Sequence, residues 1–179
     1  MKIKQLYLLL VLPTILLSSS CEKVGDLFTF GFNLQNDFSL PPNLPINTPF
    51  NLPSIPMDYN SSETFEQNNT RADLVKEITL EYITLTIKEP AGQDFTFLKD
   101  VELSLDKDGL GPKLVAWKYD VADTVGQELN LEVTKDALDE YLKTDNVSFI
   151  LKATTDKLTT KEVKISSDIR VRVKANIFK

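Results

Sequence analysis

Apolar and polar residues alternate along most of the chain from about residue 27 onward. Such a period of two predicts β-strands that bury one face and expose the other. The runs with apolar residues at nearly every second position cover residues 28–34, 95–105, 115–121, 129–133, 147–153 and 163–177. In the third of these runs the same parity predicts that Trp117 and Tyr119 are buried.

One further run changes parity in its middle. Between residues 78 and 87 the apolar residues occupy even positions up to Tyr82 and odd positions from Ile83 onward. The buried face therefore changes near Tyr82. A β-bulge, or a strand that passes from one sheet to another, would produce this change.

Helical signals are short. Thr70 followed by Asp73 predicts one helical turn capped by the Thr70 hydroxyl, and Thr134 is a candidate cap for a short helix ending near Lys143. Residues 41–57 contain six of the nine prolines, which predicts an extended edge strand or a loop. The polar residues 58–70 predict a mobile loop.

About seven short strands with little helix place the chain in the all-β class. The prediction is a single antiparallel two-sheet β-sandwich over residues 27–179, with one short helix and a separate N-terminal signal helix. The order of its elements resembles immunoglobulin-like folds and, distantly, the type 2 late-embryogenesis-abundant domain. This is a resemblance of architecture, which implies little about function.

The first twenty residues have the layout of a secretory signal. Lys2 and Lys4 form a short positive region, and residues 6–17 form an apolar core interrupted by Pro13 and Thr14. The core is shorter than the roughly 18 apolar residues of a spanning helix, and small serines follow it. The segment therefore predicts export rather than a transmembrane span.

Leu17-Ser18-Ser19-Ser20-Cys21 resembles the lipobox of bacterial lipoproteins, in a serine-rich form similar to that of Bacteroidetes. The resemblance implies cleavage before Cys21 and acylation of its thiol, so that residues 1–20 are signal peptide and residues 21–26 a tether. Acyl chains such as palmitate would then anchor the protein to a membrane. Glu22 implies the outer membrane, with the face undecided. The alternative is a buried free thiol in an ordinary secreted protein.

Composition limits the chemistry that the chain can perform. It has no histidine, one cysteine and a net charge of −6. The commonest general base, nucleophile and zinc ligands are therefore missing once Cys21 is acylated, and no cofactor or metal site is predicted. The acidity disfavours nucleic-acid partners. A pair of carboxylates remains the one route to hydrolysis.

The final strand carries a basic stripe, formed by Lys164, Arg170, Arg172 and Lys174 on its polar face. One interpretation pairs these cations with acids of other strands, such as Glu102, Glu128 or Glu132. The other brings the stripe into contact with an anionic partner, such as lipid headgroups, lipopolysaccharide or an acidic glycan.

A possible modification site lies in a predicted loop. Asp123-Thr124-Val125 resembles the O-glycosylation sequon of exported Bacteroidetes proteins, which implies a sugar on Thr124.

Three functions remain open. The first is a lipid-anchored, non-enzymatic envelope protein with a structural role or a role in binding an envelope protein or glycan. The second is an outer-membrane surface subunit that captures glycan or another nutrient. It predicts a patch of exposed aromatic residues, for which the candidates are Tyr59, Phe65, Trp117 and Tyr119. The third is an envelope hydrolase that uses carboxylates alone.

Overall fold

The computed structural model describes residues 27–177, and within this range β-strands dominate. The signal segment, Cys21 and the tether lie outside the described residues. The described residues contain two helices, α1 (Ser61–Gln67) and α2 (Asp139–Leu142), together with 3₁₀ turns at Ala72–Leu74 and Phe95–Phe97. The strands are β1 (Leu27–Leu40), β2 (Phe50–Asn51), β3 (Ile55–Pro56), β4 (Val75–Glu89), β5 (Leu98–Lys107), β6 (Lys113–Lys118), β7 (Glu128–Val133), β8 (Val147–Thr155) and β9 (Val163–Asn176).

The strands form one continuous antiparallel sheet in the order β1-β9-β4-β7-β6-β5-β8-β2, with β3 also paired to β8. Strand β7 joins two halves of the sheet, β1-β9-β4 and β6-β5-β8, because Leu131 pairs with β4 and Glu132 pairs with β6. The sheet curls into a half-barrel. The all-β antiparallel class is confirmed, whereas the predicted two-sheet sandwich is not.

The core lies inside this curl. Phe38 and Leu40 of β1, Ile165 of β9, and Leu151 and Ala153 of β8 line one small internal void of about 10 Å³. Strands β1 and β8, which lie near opposite edges of the sheet, therefore pack around the same apolar interior. Such close packing is typical of protein cores.

Strand β4 contains the predicted change of face. Its register against β9 shifts between Leu80 and Tyr82, and the buried residues on either side are Leu80 and Ile83. A β-bulge places an extra residue in one strand, so residues beyond it exchange faces. The bulge near Tyr82 is confirmed.

Strand β6 also contains a bulge, which was not predicted from the sequence. Leu114 pairs with Ser104 and Ala116 pairs with Leu103, so Val115 is the extra residue, and both Val115 and Ala116 are buried. Trp117 consequently lies on the outer face. Tyr119 follows the end of β6 and is 46% exposed. The prediction that Trp117 and Tyr119 are buried is wrong.

The predicted mobile loop over residues 58–70 contains helix α1. The side chain of Asn60 caps the helix by accepting the backbone N–H of Glu63 at 3.0 Å, and Phe65 is fully buried. Amide capping and one large apolar anchor are sufficient to order a short helix against a core. The loop prediction is therefore wrong.

The other local predictions are partly correct. A 3₁₀ turn follows Thr70, but the Thr70 hydroxyl donates to the Asn176 carbonyl at 2.8 Å instead of capping the turn. Helix α2 begins at Asp139, whereas Thr134 accepts the N–H of Asp136 in the loop before it. The proline-rich segment supplies β2 and β3 as edge strands on β8, as one of the two interpretations predicted.

Within residues 27–177, no helix has the length and apolarity needed to cross a bilayer.

Candidate functional site

The basic stripe lies on the outer face of β9, where each of its four cations meets a glutamate of β4. The partners predicted from the sequence, Glu102, Glu128 and Glu132, are wrong, because β4 is the strand that lies beside β9. The ion pairs are Lys164–Glu89 at 2.8 Å, Arg170–Glu81 at 3.4 Å, Arg172–Glu81, and Lys174–Glu77 at 2.5 Å.

These pairs neutralise much of the stripe. The hydrogen bond and charge of Arg172, with a smaller contribution from Arg170, hold the pKa of Glu81 below its usual value. A hydrogen bond to Glu89 raises the pKa of Lys164. Arg170 also donates to the side chain of Asn33 at 2.7 Å. The stripe therefore offers an anionic partner few uncommitted donors.

A second row of polar and aromatic side chains crosses the outer face of the other half of the sheet. Glu132, Trp117, Glu102 and Lys152 occupy neighbouring register positions on β7, β6, β5 and β8. We call these four residues, together with Tyr119, the outer-face row. Directly opposed residues in adjacent antiparallel strands point to the same side of a sheet, so the row forms one continuous surface.

Hydrogen bonds fix the members of this row. The indole Nε1 of Trp117 donates to Glu132 at 3.2 Å, and the Tyr119 hydroxyl donates to Glu102 at 3.1 Å. Lys152 donates to the other carboxylate oxygen of Glu102 at 3.1 Å. Partial desolvation and the Glu102 carboxylate raise the pKa of Tyr119, so its hydroxyl remains protonated at neutral pH.

A shallow depression of about 150 Å³ lies beside the row, where Glu102, Tyr119 and Lys152 face Pro49 and Thr154. The depression combines an aromatic wall with a carboxylate and an ammonium group. Ligand sites commonly pair apolar surface with a few convergent polar groups. The outer-face row is our candidate functional site.

The other two aromatic candidates belong to the core. Phe65 is fully buried, and Tyr59 stacks on Phe32 with ring centroids 5.5 Å apart. The Tyr59 hydroxyl donates to the Leu142 carbonyl at 2.8 Å, and burial raises its pKa. Only Trp117 and Tyr119 of the four predicted aromatic residues therefore reach the surface.

A larger, polar cleft of about 630 Å³ lies at one end of the half-barrel, between the segment before α1, the β5–β6 turn and the turn before β8. Its acids include Asp106, Asp108 and Asp145. Asp145 accepts the backbone N–H of Ser61 at 2.7 Å, which lowers its pKa. Lys107 donates to the Glu140 carbonyl at 2.9 Å.

A hydrolase that uses carboxylates alone would need two acids with different protonation states in such a cleft. A glycosidase needs one carboxyl group whose pKa is raised so that it can donate a proton. In residues 27–177, the carboxyl groups with shifted pKa values are Glu81, Asp94 and Asp145, and all three shift downward. The same range contains no cluster of three acids or cysteines placed to hold a metal ion.

The remaining predicted site residues are Thr124 and Cys21. Thr124 lies in an exposed turn between β6 and β7, next to Asp123, which forms an ion pair with Lys157. Cys21 lies outside the described residues.

The outer-face row was not predicted from the sequence, because the β6 bulge turns Trp117 to the face opposite the one that strict alternation predicts. The signal was present as two consecutive apolar residues, Val115 and Ala116, inside an otherwise alternating run. Glu102 was predicted to pair with the basic stripe. In the structure it accepts hydrogen bonds from Lys152 and Tyr119.

No protein-family model matches the chain, and no curated protein matches it either. Among solved structures, a chain of Desmodium yellow mottle tymovirus is similar over 87% of this chain and 84% of its own length. The identity is 9% and the TM-score 0.28, too low to support an argument about fold or function.

Proposed function

We propose that the protein is a lipid-anchored β-domain of the bacterial cell envelope, held in the outer membrane through acyl chains on Cys21. It serves there as a binding or structural module without catalytic activity. The observation that carries this proposal is the lipobox-like segment ending at Cys21, which only five residues separate from the strand that begins at Leu27.

The described domain is consistent with this role. Its two halves, β1-β9-β4 and β6-β5-β8, share one apolar core, which supports an immunoglobulin-like arrangement as the proposed architecture. A long-stranded scaffold of this kind holds surface groups rigidly, as a binding module requires.

Metabolic labelling with a fatty-acid probe tests the anchor. Wild-type protein is expected to take up the probe and to fractionate with membranes, and Cys21→Ala is expected to lose both properties, because the thiol is the site of acylation. Ser18→Ala is the matched control, since it changes the signal but keeps the thiol. Equal labelling of wild type and Cys21→Ala would contradict the proposal.

A second candidate function, capture of a glycan, is favoured by the half-buried ring of Trp117 and the exposed ring of Tyr119 on the outer-face row. Aromatic rings present flat apolar surface at low entropic cost, which suits the C–H faces of a sugar ring. Glu102 and Lys152 lie beside Tyr119 and supply an acceptor and a donor for hydroxyl groups. We propose that any glycan partner binds at this row.

Affinity electrophoresis in gels that contain polysaccharides tests the second function. Trp117→Ala and Tyr119→Ala are each expected to weaken binding about tenfold, which corresponds to roughly 1.4 kcal/mol. Tyr82→Ala is the matched control, because Tyr82 is a 40% exposed tyrosine on the other half of the sheet. Equal retardation of all three variants and wild type would exclude the row as the glycan site.

A further inference from the structure

One end of the domain carries two exposed apolar side chains where three strand ends meet. Leu27, at the start of β1, is 59% exposed, and Ile177, just after β9, is 44% exposed. Leu27 pairs with Asn176 at the end of β9, and Val75 at the start of β4 pairs with Ala175. We call this end the β1-start pole.

Two lysines lie near the same strand ends. Lys76 and Lys174 are exposed beside the ends of β4 and β9, and Lys174 pairs with Glu77. In the described residues no ion pair is formed by Lys76. Exposed apolar side chains next to lysines suit a membrane interface, where the apolar groups leave water and the ammonium groups reach anionic headgroups.

The length of chain before β1 fixes which end of the domain is near an anchored Cys21. Five residues separate Cys21 from Leu27, so even a fully extended chain brings Leu27 within about 20 Å of the acylated residue. Strand β9 has 14 residues and is about 45 Å long. The β1-start pole is therefore held near the bilayer, and the opposite end is free to lie well away from it.

We infer that the β1-start pole docks on the lipid bilayer, with Leu27 and Ile177 in the interfacial region and the ammonium group of Lys76 against the headgroups. This inference rests on the proposed lipid anchor and adds a defined orientation to it. Two leucine-sized side chains bury too little apolar area to bind a membrane alone, so the contact orients a protein that the acyl chains already hold.

The orientation also determines where the outer-face row lies relative to the membrane. That row runs across β7, β6, β5 and β8 and includes none of the strand ends that form the pole, so docking of the pole leaves it uncovered. The domain would then present its candidate site to the aqueous side of the membrane.

Site-specific fluorescence labelling tests the docking. Cys21 is the only cysteine, so in acylated protein a thiol introduced by Leu27→Cys is the only reactive one. Leu158→Cys is the matched control, because Leu158 is 55% exposed in the loop that precedes β9, at the opposite end of the domain. Both labelled proteins are reconstituted into vesicles of phosphatidylethanolamine and phosphatidylglycerol, and quenching by aqueous iodide is measured.

The expected result is several-fold weaker iodide quenching at position 27 than at position 158 in the vesicles, with equal quenching in a soluble chain that begins after Cys21. Equal quenching at both positions in protein that floats with the vesicles would overturn the docking and leave the anchor intact. Protein that fails to float and carries an unmodified Cys21 would overturn both. Addition of Ile177→Glu is expected to restore quenching at position 27.

Discussion

Replacement of Phe65 by alanine is expected to lower the free energy of unfolding by about 3–5 kcal/mol, the usual cost of removing a buried aromatic ring. Phe65 is the large apolar side chain of α1 and is fully buried. Its loss would leave a cavity and release a helix of only seven residues, which has little stability in isolation. Urea denaturation of the soluble domain measures this change.

Glu66→Ala is the control for this substitution, because Glu66 is the exposed neighbour of Phe65 on the same helix. Its expected effect is within about 0.5 kcal/mol. A destabilisation by Phe65→Ala no larger than that of Glu66→Ala would show that residues 61–67 form a mobile loop after all.

Replacement of Phe95 by alanine is expected to destabilise the domain by a similar amount, about 3–5 kcal/mol. Phe95 is fully buried, packs on Phe97 with centroids 6.4 Å apart, and lines the same void as Phe38 and Leu151. It therefore contacts the interior shared by both halves of the curled sheet. Thermal unfolding followed by circular dichroism, together with urea denaturation, measures the loss.

Tyr119→Ala provides the comparison for Phe95→Ala, since it removes an aromatic ring that is nearly half exposed. It should change stability by less than about 1 kcal/mol. Similar losses in the two variants would mean that Phe95 does not sit in a packed core, and that the two halves of the sheet do not close on a common interior.

Alternation of apolar residues was sufficient to locate the strands other than β2 and β3. The predicted run at residues 28–34 lies within β1 (Leu27–Leu40), and the parity change near Tyr82 coincides with the bulge of β4. These features depend on local side-chain period, which a sequence displays directly. The order of the strands depends on non-local pairing, and the dual role of β7 in joining both halves had no local signal.

The candidate site was less predictable than the strands. A single extra residue at Val115 reverses the faces of everything that follows it in β6, so the parity rule placed Trp117 and Tyr119 in the core. The partners of the basic stripe were missed for a different reason. Glu77, Glu81 and Glu89 lie beside the cations because β4 pairs with β9, and this pairing has no local signal in the sequence.

The two charged surfaces of the domain differ in what remains available for binding. The β9–β4 surface matches each cation with a glutamate, so its side chains are occupied by one another. The outer-face row leaves part of Trp117 and Tyr119 exposed beside the Glu102–Lys152 pair. We therefore expect substitutions in the outer-face row to weaken partner binding. Substitutions in the basic stripe should have little effect on it.

The account depends most on the chemical state of Cys21, and the intact mass of the protein extracted from native membranes measures it directly. The predicted mass is that of a polypeptide beginning at Cys21 with a diacylglycerol group on its sulfur, with or without a further acyl chain on its amine. A polypeptide that begins at Met1, or a mature chain whose cysteine carries no lipid, would contradict the proposed anchor and the membrane orientation derived from it.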